Sequence, residues 1–173
     1  MKNLLTVLVL ATIFTSVFSP HVYARPENHG NSAARDMLIR SQVETAVSML
    51  NAVTMKARKG DMTIDEAKKL GAELLRELRY GEEGYFWADT VEGVNVVLYG
   101  KEDVEGRSRI DAKDANGVFF IREFIAKAKA GGGYVEYLFP KKGGTIPVAK
   151  RSYVKLFEPF NWVVGTGYYP GKH

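Results

Sequence analysis

The chain has 173 residues, no cysteine and three histidines, and its 24 basic and 20 acidic residues give a net charge of +4. The absence of cysteine excludes thiol catalysis, thiolate metal sites and a lipid anchor on an N-terminal cysteine. Basic and acidic residues are interleaved, which indicates a solvated surface and no nucleic-acid partner, with at most a weak preference for anionic ligands.

The three histidines all lie outside the predicted folded body. His21 is in the N-terminal apolar segment, His29 follows it in a polar stretch, and His173 is the last residue. Histidine-based catalytic triads and His-rich zinc sites need an imidazole held in the interior. We therefore expect no enzyme activity, no bound metal and no other cofactor.

Residues 1–24 have the three parts of a secretory signal peptide. Lys2 gives a positive start, residues 4–18 are mostly apolar, and Val22 to Ala24 fits a signal peptidase site. The apolar part, roughly 15 residues, is short for a membrane span of about 20. We expect cleavage after Ala24 and a periplasmic or secreted domain; the alternative is an uncleaved N-terminal anchor. No later segment is predicted to span a membrane.

Two amphipathic helices are predicted next, after a flexible leader at residues 25–32. The first begins at Ala33 and places apolar residues at steps of three or four along one stripe. The second begins at Thr63, whose spacing to Glu66 fits a capping box, and ends near Tyr80.

Beyond the second helix the period changes to that of strands. A hairpin of residues 84–89 and 94–99 precedes a short helix at about 118–130, and three strands follow at 134–139, 148–157 and 162–169. Hairpin-length loops predict an antiparallel sheet with helices packed on it, an α+β fold. Residues 33–169 thus form one domain, and residues 170–173 are a C-terminal tail. Because so little chain follows the last strand, we expect a stand-alone protein.

Residues 112–123 superficially imitate a calcium-binding loop. Asp114, Asn116, Gly117 and Glu123 have the expected spacing, but the first position is Ala112, where a calcium loop normally has aspartate. We interpret the stretch as a turn.

Lys150 and Tyr153 are the charged and phenolic candidates on the strand 148–157. Alternation places them on opposite faces unless the strand bends, and an edge strand with its charges in water is the plain alternative. Tyrosines are also concentrated on the other predicted strands. Together they could line a small polar pocket, although any single one is more simply explained by packing.

Several strings, in this order, resemble the single Cache domain of bacterial chemoreceptors and sensor kinases, over about residues 33–169. They are Gly84-Tyr85-Phe86-Trp87, Val104-Glu105-Gly106-Arg107, Asp114-Ala115-Asn116-Gly117, Gly133-Tyr134-Val135-Glu136-Tyr137, Lys150-Arg151-Ser152-Tyr153-Val154 and Trp162 to Tyr169. The resemblance implies a PAS-like fold, with a long N-terminal helix and a second helix on a curved antiparallel sheet of about five strands. It also implies binding of small organic acids or related metabolites without turnover.

The resemblance assigns seven residues to the ligand pocket. Lys150 would meet a ligand carboxylate, and tyrosine hydroxyls would hydrogen-bond its oxygens. The candidates are Tyr85, Trp87, Tyr99, Arg107, Tyr137, Lys150 and Tyr153.

Tyr99 marks a departure, because many relatives end the second strand with His-Pro where this chain has Tyr99-Gly100. A phenol replaces a titratable imidazole, so we expect a small or flat ligand that binds with little pH dependence between about 5.5 and 8. A stand-alone sensor would act in signal transduction through a membrane receptor or kinase partner. The alternative is a structural scaffold whose pocket is filled by its own side chains.

Overall fold

The structure is a computed structural model that describes residues 29–171, with side chains from residue 32 onward. The predicted signal peptide, residues 25–28 of the predicted leader and residues 172–173 lie outside it. No helix within the described residues is long and apolar enough to cross a bilayer. The elements are α1 (His29–Arg58), α2 (Ile64–Glu77), β1 (Arg79–Tyr80), β2 (Gly84–Tyr85), β3 (Trp87–Thr90), β4 (Asn95–Leu98), α3 (Phe120–Lys129), β5 (Gly133–Pro140), β6 (Pro147–Phe157) and β7 (Trp162–Tyr168).

Five strands form one antiparallel sheet in the order β4-β3-β7-β6-β5, and β1 and β2 form a separate small ribbon. Helices α1 and α2 pack on one face of the sheet, hereafter the α1 face, and α3 packs on the other, the α3 face. The predicted α+β fold with helices on a five-stranded antiparallel sheet is confirmed.

Helix α1 begins at His29, four residues before the predicted start at Ala33. Its predicted apolar stripe is buried against the sheet, with Ile39, Val43 and Leu50 almost fully covered. The N-terminal part of the helix is held to β6 by Asp36, which accepts two hydrogen bonds of 2.8 Å from the guanidinium of Arg151. These tertiary contacts stabilise helical residues that the local sequence does not strongly favour.

Helix α2 begins with the predicted capping box, which the structure confirms. Thr63 accepts a hydrogen bond from the Glu66 amide, and the Glu66 carboxylate accepts one from the Thr63 amide at 2.7 Å. The helix ends at Glu77, earlier than predicted, because Arg79 and Tyr80 adopt extended geometry and pair with β2.

The two faces of the sheet have different contents. On the α1 face, Ala88, Val97 and Val164 pack against the apolar stripes of α1 and α2. On the α3 face, Trp87 packs against Phe124 of α3. Gly165 lies opposite Trp87 on β7, and a Cβ there would be 2.5 Å from the indole ring, so only glycine leaves room for that ring to lie flat on the sheet.

Candidate functional site

Four of the seven predicted pocket residues come together on the α3 face, at the end of the sheet near the β5–β6 loop. Lys150 of β6 and Tyr137 of β5 are directly opposite each other in the antiparallel register. Tyr85 of β2 and Trp87 of β3 approach from the other side. Alternation explains the arrangement, because Trp87, Tyr137 and Lys150 leave the five-stranded sheet on the same face, and Tyr85 is two residues before Trp87.

The ammonium group of Lys150 is enclosed by aromatic rings. Its Nζ lies 4.4 Å from the centre of the Tyr85 ring, 4.9 Å from Trp87 and 5.2 Å from both Phe139 and Tyr169. It donates a hydrogen bond of 2.5 Å to the Tyr85 hydroxyl. A cation over ring faces is partly stabilised. These contacts give Nζ one hydrogen-bond acceptor where an ammonium group has three protons to donate.

No carboxylate among the described residues pairs with Lys150, although its side chain is only 2 % exposed. Burial, together with the smaller effect of the positive charge of Arg109, therefore lowers the pKa of Lys150 from its usual value near 10.5 to about 7. The expectation of little pH dependence in ligand binding assumes that Lys150 is charged throughout the physiological range, and this lowered pKa argues against that assumption.

Tyr85 and Tyr169 separate Lys150 from a cavity of about 330 Å³. The hydroxyl of Tyr169 donates a hydrogen bond to the Pro140 carbonyl at 2.8 Å. Burial raises the pKa of both phenols, so they are neutral donors and acceptors at physiological pH. The cavity lies between the β1–β2 turn and the β5–β6 loop, and it is lined by Arg79, Glu82, Glu83, Tyr85, Tyr99, Lys141, Lys142 and Tyr169.

Tyr99 is in the wall of this cavity, half-buried, with its ring centre 5.8 Å from that of Tyr85. Its hydroxyl accepts a short hydrogen bond from Lys142, and the guanidinium of Arg79 lies over its ring at 3.4 Å. These two cations hold the pKa of Tyr99 below its ordinary value. Tyr99 and Lys150 thus lie on opposite sides of Tyr85: Tyr99 is on the side that faces the cavity, and Lys150 is on the buried, inner side.

Tyr153 and Arg107 are placed away from this group. Strand β6 does not bend between Lys150 and Tyr153, so Tyr153 emerges on the α1 face and packs against Ile39 and Val43. Arg107 is exposed on a turn in which its own amide donates to the Val104 carbonyl. Neither side chain contacts the ring cage around Lys150.

Arg109, two residues beyond Arg107, instead reaches into the buried region. Its guanidinium lies 3.4 Å from the carboxylate of Asp89, which is 1 % exposed and hydrogen-bonded to Asn95 at 2.9 Å. Burial raises the pKa of Asp89, while Arg109 and Asn95 act in the opposite direction. Asp89 could have been identified from the sequence, because a charged residue inside an otherwise apolar, buried strand is unusual. Nothing in the sequence distinguishes Arg109 from the other arginines.

The Trp87 indole Nε1–H is buried and has no acceptor among the described residues. The hydroxyl of Tyr137, by contrast, is hydrogen-bonded to that of Ser152 at 3.2 Å, and its ring stacks on Phe120. The inner site thus combines a buried ammonium, two neutral phenols and an indole donor, a set suited to hold an anionic oxygen ligand.

Within residues 29–171 no cluster of three metal-ligating side chains occurs, and the oxygens of Asp114 accept backbone amides of the turn and of Leu138.

A second cavity of about 300 Å³ opens on the α1 side of the β1–β2 turn, between Arg35, Leu38 and Tyr168. It shares Glu82, Glu83 and Tyr169 with the first cavity but includes none of the seven predicted pocket residues.

A scan against protein families matches residues 32–171 to the family described as single Cache domain 2. Among curated proteins, the sensor histidine kinase MctS of Rhizobium johnstonii is 36% identical over 124 residues, which cover 72% of this chain and 26% of that protein. The methyl-accepting chemotaxis protein McpP of Pseudomonas putida is 29% identical over 131 residues, 75% of this chain and 24% of that protein. The chain thus spans about a quarter of the length of these relatives.

Two solved structures are similar over nearly their whole length. The periplasmic sensor domain of a chemotaxis protein has a TM-score of 0.78 and 35% sequence identity, covering 81% of this chain and 98% of that one. A Cache chemosensory domain solved to explain carboxylic acid recognition has a TM-score of 0.79 and 30% identity, covering 84% and 99%.

Proposed function

The chain belongs to the single Cache domain 2 family, and from this we propose that it is an exported sensing module that binds a small organic acid without converting it. The ligand carboxylate is received by Lys150, with the Tyr85 hydroxyl and the Trp87 indole as further hydrogen-bond donors. Binding would serve signal transduction, through a membrane receptor or a kinase as partner.

One observation carries this proposal: Lys150 is buried without a carboxylate partner. A buried cation is costly unless an anion compensates it. A structural lysine would be expected to have an acidic partner within the fold. Lys150 has aromatic rings and one phenol, so a ligand carboxylate supplies the counter-charge that the protein does not.

A scaffold without a ligand is the second candidate, and one observation favours it. The Tyr85–Tyr169 pair closes the inner site, so that Lys150 does not line the cavity in the described structure. Carboxylate binding therefore requires one of these two rings to move aside.

Thermal unfolding with paired ligands separates these candidates. Acetate, propionate, butyrate and succinate are compared with the neutral amides acetamide, propionamide and butyramide, at pH 6.5 and constant ionic strength. We expect at least one acid to raise the melting temperature by several degrees at millimolar concentration, while its amide has no effect, because only ligands of the folded state stabilise it. Equal behaviour of acids and amides would contradict the proposal and favour the scaffold.

Export is tested by the mass of the protein itself. We expect protein recovered from the periplasm or the medium to begin at or near Arg25, because residues 1–24 have the sequence of a cleavable signal. Intact-mass measurement distinguishes this product from the uncleaved chain. Recovery of the full-length chain in the membrane fraction would instead establish an N-terminal anchor.

A further inference from the structure

The cavity of about 330 Å³, hereafter the outer cavity, is lined by two cations that converge on the phenol of Tyr99. Arg79 lies over the ring of Tyr99 at 3.4 Å, and Lys142 donates to its hydroxyl, with Nζ 3.8 Å from the ring centre. Among the described residues no carboxylate forms an ion pair with either side chain. Arg79 is held in place by hydrogen bonds to the carbonyls of Arg76 and Leu78, at 2.5 and 2.8 Å.

Two like charges that each lie within 4 Å of the Tyr99 ring centre repel each other, and that repulsion is relieved when an anion lies between or beside them. The acidic residues that line the same cavity form no ion pair with Arg79 or Lys142 among the described residues. Glu83 lies 3.9 Å from Lys141, and Glu82 forms no ion pair among the described residues. Tyr99 itself responds to the excess of positive charge through its lowered pKa.

Tyr85 is the wall shared by this cationic pair and the inner site. Its hydroxyl accepts the hydrogen bond from Lys150 on one side, and its ring lies 5.8 Å from that of Tyr99 on the other. A ligand that displaces the Tyr85 hydroxyl from Lys150 would therefore extend toward Arg79 and Lys142. The cavity of about 330 Å³ has the volume of about ten water molecules, more than an acid of two or three carbons displaces.

We propose that the ligand is an acid with two anionic groups joined by a short chain, and that Arg79 and Lys142 bind the second group beside Tyr99. The inference rests on the proposed function for the first group, which Lys150 receives. Arg79 and Lys142 then determine specificity, because a monocarboxylate leaves their charges without a counter-ion.

Calorimetric titration with succinate and butyrate at pH 7 tests the inference. The two probes share a four-carbon chain and differ in one carboxylate. We expect the wild type to bind succinate at least about tenfold more tightly than butyrate, the size of effect that one charged contact gives in a partly exposed site. Lys142→Met should lower the affinity for succinate about tenfold and leave the affinity for butyrate unchanged. Lys129→Met, which removes an exposed charge from the last turn of α3, is the control and should change neither affinity.

Arg79→Gln is a second variant with the same expected pattern, and the melting temperature of each variant verifies folding. Equal affinities for succinate and butyrate in the wild type, or equal weakening of both by Lys142→Met, would overturn the inference and leave the proposed function standing. Binding of neither these two acids nor acetate and propionate would overturn the proposed function together with it.

Discussion

Lys150→Met is expected to make the empty protein more stable and to weaken acid binding strongly. Methionine has a similar length and no charge, so the substitution removes a buried ammonium without opening a cavity. The pKa of Lys150 is about 7 in the folded protein and near 10.5 in the unfolded chain. Since one pKa unit is about 1.4 kcal/mol, burying the charged lysine lowers the folding stability by on the order of several kcal/mol. A rise in melting temperature of at least about 5 °C should follow at pH 6.5.

The increase in stability caused by Lys150→Met depends on pH. Below about pH 7 the lysine is charged in both states and the full penalty applies. As the pH rises toward about 10.5, the unfolded chain still binds the proton that the folded protein has released, so the wild type becomes more stable relative to its unfolded state. The difference between wild type and Lys150→Met should therefore shrink with rising pH and vanish near 10.5.

Binding should weaken by at least about a hundredfold in the same variant, because a buried charge pair is lost. Lys155→Met, a half-exposed lysine on the other face of the same strand, is the matched control and should change neither stability nor affinity appreciably. Destabilisation by Lys150→Met together with unchanged affinity would show that the lysine is structural and that acids bind elsewhere.

The second large effect is a loss of affinity at alkaline pH. An anionic ligand binds the charged form of Lys150, and that form decreases above the pKa of about 7. The phenols around the ammonium do not compensate, because Tyr85 and Tyr169 have raised pKa values and stay neutral over this range. Affinity for a carboxylate should fall about tenfold between pH 6 and pH 8, measured by calorimetry at constant ionic strength.

Tyr99→Phe separates this effect from titration of the outer phenol, whose pKa is lowered by Lys142 and Arg79. The fall in affinity should persist in that variant. A constant affinity from pH 6 to pH 8 in the wild type would mean that Lys150 keeps its proton in the empty protein, contrary to the effect of its burial.

The layout of the fold was predictable from the sequence because its causes are local. The Thr63–Glu66 capping box and the apolar stripe of α1 each follow from a few neighbouring residues. The short strand β1 was missed because Arg79 and Tyr80 are extended only through their pairing with β2. The apolar pattern predicts the start of α1 too late, because its first turns are stabilised by tertiary contacts, such as those of Asp36 with Arg151 and Tyr168.

The candidate site could be predicted only in part. Alternation correctly placed Lys150 and Tyr153 on opposite faces of β6, yet the resemblance had assigned both to one pocket. Arg107 and Arg109 are two residues apart, yet Arg107 is exposed on its turn and only Arg109 reaches the buried Asp89, a difference that comes from tertiary contacts. The burial that shifts the pKa of Lys150 arises from rings on several strands, so no local pattern encodes it.

Proton uptake on binding is the most direct test that a ligand carboxylate meets Lys150. The best-binding acid of the thermal panel is titrated at pH 7.5 in two buffers with different enthalpies of ionisation. With a pKa of about 7 in the empty protein, about a quarter of the lysines are charged at this pH, so binding should take up about three-quarters of a proton per acid. Tight binding with no proton uptake would contradict the account.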